Sequence, residues 1–68
     1  MTYRVEYNHK SSGLICVEAG IELKENAQIL ARRTLDIEGA TFARVIDEDG
    51  EGEVWSVRAD GDGTTKQG

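Results

Sequence analysis

Residues 47–53 read DEDGEGE, five carboxylates and two glycines in seven positions. Oxygen ligands arranged around a glycine turn are what a calcium ion takes. Asp47, Asp49, Glu51 and Gly52 fall at relative positions 1, 3, 5 and 6 of such a loop. The last position, where calcium needs a bidentate glutamate, is Arg58. The flanks also read as strands rather than helices, so no metal and no cofactor is expected. Two uses remain for Asp47, Glu48, Asp49, Glu51 and Glu53. They form a solvated turn, or they present a negative patch that imitates the charge of a nucleic acid.

Acid–base catalysis by these groups is not expected. It needs a desolvated pocket that shifts a carboxyl pKa, and these acids lie in an exposed loop. His9 and Cys16 could in principle form a base–nucleophile pair. But His9 sits beside Lys10 in a polar loop, and Cys16 reads as a small apolar residue in a strand. Nothing here points to an enzyme. Arg32 and Arg33 suggest a different use. With Gln28, Ile29 and Asp36 they form a mixed apolar and charged surface on a helix, of the kind that anchors a protein partner. The alternative for Arg32 and Asp36 is a solvated i,i+4 pair.

The elements that hold these residues follow from periodicity. TYRVEY alternates, with Tyr3, Val5 and Tyr7 on one side, and reads as a half-buried strand. NHKSSG is a turn-rich loop. LICVEA is a second strand, with Ile15, Val17 and Ala19 on one face. Because Leu14 and Cys16 are also apolar, its start is expected to be covered on both sides. Over residues 22–37 the period becomes helical, and Leu23, Ala27, Leu30, Ala31, Thr34 and Ile37 gather on one stripe. Arg32 falls opposite that stripe and Arg33 toward its edge. Gly39 supplies the left-handed stop. TFARVID and EVWSVRA are two further strands joined through the acidic turn as a hairpin. Trp55, Val57 and Ala59 point to the core. The predicted fold is α+β: a single helix on one face of a four-stranded antiparallel sheet, in ββαββ order. Residues 1–60 form one domain. Residues 61–68, GDGTTKQG, read as a disordered tail.

Length and charge bound the function. A chain of 68 residues buries only about 60% of the surface its unfolded form exposes. Cys16 is the only cysteine, so no disulfide helps, and a partner could. The lone cysteine and the lack of a signal-like amino terminus point to a reducing, cytoplasmic setting. No apolar run reaches the roughly 18 residues a membrane helix needs. The net charge is −5, and residues 40–68 hold seven acids against three bases. Such a chain is repelled by phosphates and attracted to basic protein surfaces. Direct nucleic-acid binding through Arg4, Arg44 and Arg58 is the weaker alternative.

Several residues together carry a resemblance. They are VEA at 17–19, Ala27 and Ala31 four apart, Gly39, then Thr41, Arg44, Val45, Gly50 and Trp55. Over about residues 15–58 the chain resembles the small phage-encoded anti-CRISPR proteins, in particular one family of type I-F inhibitors. The resemblance implies a binding inhibitor that docks on a host CRISPR surveillance complex and keeps it from target DNA. It implies contacts on and just after the helix, here Gln28, Arg32, Arg33 and Asp36. The hairpin loop is longer and more acidic here, and a polar tail replaces the family's aromatic end. The expected partner is thus a host protein or nucleoprotein complex, bound by a monomer or homodimer. The alternative is a phage assembly module that oligomerises through edge strands.

Overall fold

The computed structural model describes residues 1–50 and 52–59. The tail expected at 61–68 and the side chain of Glu51 lie outside the described residues. Four strands and one helix follow in order: β1 (Tyr3–His9), β2 (Gly13–Ile21), α1 (Lys24–Thr34), β3 (Ala40–Asp47) and β4 (Gly52–Arg58). The sheet runs β2-β1-β3-β4, with every neighbouring pair antiparallel. Since β2 and β3 both oppose β1, they run parallel to each other, and α1 is the crossover between them. The predicted α+β architecture is the observed one.

Alternation decides the core. Val5 faces Val45, which faces Trp55; Tyr7 faces Ala43, which faces Val57. These six side chains form one layer, and Ala27 and Ala31 of α1 close it from above. Both alanines are fully buried, and their small size lets the helix lie close to bulky strand residues. Thr34 is buried as well, with its hydroxyl donating to the Ala31 carbonyl at 2.7 Å. That bond satisfies the one polar group the helix brings into the interface.

The helix is shorter than its apolar stripe predicts. It ends at Thr34, and the N–H groups of Leu35, Asp36 and Ile37 bond back three residues, at 3.1–3.2 Å. This tightened exit turns Ile37 outward, 44% exposed. Leu23 occupies the position before the helix and is 55% exposed. The two ends of the predicted stripe therefore lie outside the helix and outside the core. Leu35 packs against the core instead. Gly39 sits at φ +94, in the left-handed region, and starts the return to β3.

β2 departs further from prediction. It is not covered on both sides: Leu14, Cys16, Val17, Glu18 and Ala19 are all exposed. Two register shifts against β1 break its alternation. Ile15 faces Tyr7, Glu18 faces Val5 and Ile21 faces Tyr3, so these three, not Ile15, Val17 and Ala19, look toward the helix side. Each shift adds a residue to β2 and moves the next side chain to the other face. Among the described residues no helix is long and apolar enough to cross a membrane.

Candidate functional site

The acidic hairpin is built mainly to hold itself together. The Asp47 carboxylate accepts the N–H groups of Asp49, at 2.9 Å, and Gly50, at 3.3 Å, and so forms the turn. Glu48 reaches back across the sheet end. Its Oε1 accepts the Thr2 hydroxyl at 2.8 Å and the Gly20 N–H at 3.0 Å, and its own N–H donates to the Thr2 carbonyl. Glu48 thereby ties the amino terminus and the end of β2 to the β3–β4 turn. Asp49 is exposed and lies 3.8 Å from the N-terminal amino group. Glu53 is half-buried, 3.9 Å from Arg44. Of the five acids expected to form one outward patch, Asp47 and Glu48 are turned inward by hydrogen bonds, and Glu53 belongs to the sheet face.

That sheet face, opposite the helix, carries a lattice of charges. Arg4 Nε donates to Glu6 at 2.9 Å, and Arg44 Nε and Nη2 reach the other carboxylate oxygen at 2.9 and 2.7 Å. Burial pushes the Glu6 carboxyl upward, but hydrogen bonds from Arg4 and Arg44, with their charges, outweigh it. Glu6 consequently lies below its ordinary value. Ile46, paired with Arg4 on one side and Glu53 on the other, is only 4% exposed beneath these side chains. The structure does bring Arg4, Arg44 and Arg58 to one face, as the nucleic-acid alternative needs. Two of the three are already engaged with Glu6. Arg58 stands at the far end, opposite Phe42, beside a shallow hollow of about 200 Å³.

The helix arginines separate. Arg32 does not point away from the core: its guanidinium lies over the Trp55 ring, 5.2 Å from the centroid. Gln28, one turn earlier, is on the same flank and half-buried. Arg33 lies on the opposite flank. With Asn26, Ile29, Leu30, Ile21 and Glu18 it lines a groove of about 300 Å³ between α1 and β2. Asp36 lies beyond the helix end, so the i,i+4 helical pair with Arg32 does not form, and no ion pair joins the two. The helix lies mainly over β1 and β3 and reaches β2 only lightly. One flank is sealed by Arg32 on Trp55; the other stands open above β2.

Glu18 in this groove escapes the sequence, because simple alternation assigns it to the far face. A second feature also escapes it. His9 does not lie free in a loop. Its Nδ1 accepts the Ser11 N–H at 3.1 Å, so Nε2 carries the proton and donates to the Glu38 carbonyl at 3.1 Å. The ring fills the space that a Cβ on Gly39 would need. His9 and Cys16 are not brought together: His9 pairs with Gly13, Cys16 with Glu6.

Ile29 in this groove is 54% exposed. Leu14, 50% exposed, pairs with Asn8 and so lies on the opposite face of the sheet. Compared with protein-family models, with curated proteins and with solved structures, the chain matches none of them.

Proposed function

We propose that this protein acts by binding protein, through the outer edge of β2 and the helix flank that faces it. The observation that carries this reading is the open groove itself, where Ile21, Leu30 and the exposed Ile29 are bordered by Glu18 and Arg33. An apolar centre with a charged rim is the usual composition of a protein contact. A strand edge beside it offers backbone hydrogen bonds to an incoming chain. In the narrower form that the anti-CRISPR resemblance suggests, the protein is an inhibitor and its target is a host RNA-guided surveillance complex. Gln28, Arg32 and the exposed Asp49 then belong to the periphery of the contact, and Ile29 and Arg33 to its centre.

A pull-down from bacterial lysates that contain such complexes tests the narrower form. Recovery of effector subunits is expected. Recovery of none, across hosts carrying several CRISPR types, would contradict it. A low-salt gel shift with DNA and RNA should show no complex, because Arg4 and Arg44 are engaged with Glu6. Tight, salt-sensitive binding would favour the nucleic-acid reading instead.

A further inference from the structure

The groove between α1 and β2 carries both signs of charge, Glu18 on the strand and Arg33 on the helix. A partner that fits it must offer a base toward Glu18 and an acid toward Arg33. Another copy of the same surface offers both. We infer that the occupant of this surface is a second copy of the chain, paired antiparallel along β2 about a two-fold axis. This inference rests on the binding surface proposed above and names its partner.

Two further features agree with it. The nine residues of β2 hold a single charged side chain, Glu18, although edge strands are commonly blunted with charge. The charge balance points the same way. Residues 1–21 have two acids and two bases, whereas the acidic residues 40–68 include β4 at the opposite edge of the sheet. Two copies meeting at β2 therefore meet at the nearly neutral side of a molecule whose net charge is −5.

In this arrangement the two four-stranded sheets join into one, with both helices on the same side. The two grooves merge. Arg33 of each copy reaches over its own β2 toward Glu18 of the other, and the pair forms twice. Val17, the midpoint of β2, lies near the axis. Each Cys16 is then about 7 Å from its mate along the strand direction.

Sedimentation equilibrium of the full chain decides the matter. Wild type should sediment at twice the chain mass at micromolar concentration. Arg33→Glu should weaken the dimer by about tenfold or more, because it sets like charges together across the interface. Glu18→Arg should do the same, and the double swap Glu18→Arg with Arg33→Glu should restore affinity to within about threefold of wild type. Both positions are exposed, and circular dichroism verifies that each variant is folded. A short bismaleimide should join Cys16 to Cys16 in wild type and not in Arg33→Glu. A single chain mass at about 100 μM overturns the inference, and so does a dimer indifferent to all three variants. A monomer that still captures another protein, and loses it on Ile29→Asp, overturns the self-partner while the binding surface stands.

Discussion

The guanidinium of Arg32 lies 5.2 Å from the centre of the Trp55 ring, over an indole that is only 3% exposed. One helix arginine is thereby a lid on the core. The other, Arg33, lines the open groove. The separation assigns different roles to neighbours that look equivalent in the sequence. Arg32→Ala should destabilise the fold by about 1 kcal/mol, from the lost cation–π contact and the lost cover. It should also move the Trp55 emission to longer wavelength. Arg33→Ala should do neither. Equal effects of the two substitutions on the emission would contradict the assignment.

Gly39 and His9 form the second testable pair. Gly39→Ala meets two penalties: a φ of +94, and an added Cβ against the His9 ring. The backbone strain alone is of order 1–3 kcal/mol. Urea denaturation should therefore show a large loss in Gly39→Ala. The same substitution in a His9→Ala background should cost less, because the ring is gone and the strain remains. Additive losses would mean that the two residues do not touch.

The Glu6 carboxyl carries the pH dependence. Its pKa is lowered in the fold from an ordinary 4.5, so the folded state favours the ionised form. The stabilisation it supplies is complete above that value and is lost as pH falls through the folded pKa. Chemical denaturation of wild type and Glu6→Gln should differ most at neutral pH, with wild type more stable. The two should converge as the pH drops well below 4.5. A gap that stays constant down to the acid limit would place the effect elsewhere than in the Arg4–Glu6–Arg44 lattice.

Glu48 makes a structural prediction where the sequence suggests a binding one. Removing its carboxylate leaves the Thr2 hydroxyl and the Gly20 N–H without their acceptor. Glu48→Ala should lose about 1–2 kcal/mol. Amide exchange at Gly20 should quicken in it, while exchange in the core strands follows the global change alone. Unchanged exchange at Gly20 would show that the Glu48 tie does not hold β2.

Periodicity made most of the fold legible. The alternation in TYRVEY and TFARVID, and the four-residue spacing of Ala27 and Ala31, specify which faces meet, and those faces do meet. The misses have physical causes. A helical wheel cannot tell that the chain leaves the helix at Thr34, because the short i→i−3 turn after it retains a helical look. Alternation fails in β2 because register shifts arise from pairing with β1, which no single strand reveals. The acidic turn reads as a free patch because composition carries no information about partners as remote as Thr2 and Gly20. Glu18 stays hidden as a groove residue for the same reason as Val17 stays misplaced. Gly39 was legible as a stop, but its contact with His9 bridges thirty residues and was not.

We propose that partners dock on β2 and the facing helix flank, not on the acidic hairpin. Capture by immobilised full-length protein, compared between Ile29→Asp and Asp49→Lys, tests it most directly. Both side chains are exposed and neither supports the core. Ile29→Asp should lose the captured protein, or the second copy of the chain, while Asp49→Lys should retain it. Loss of capture in Asp49→Lys with full capture in Ile29→Asp would instead place the binding surface on the hairpin.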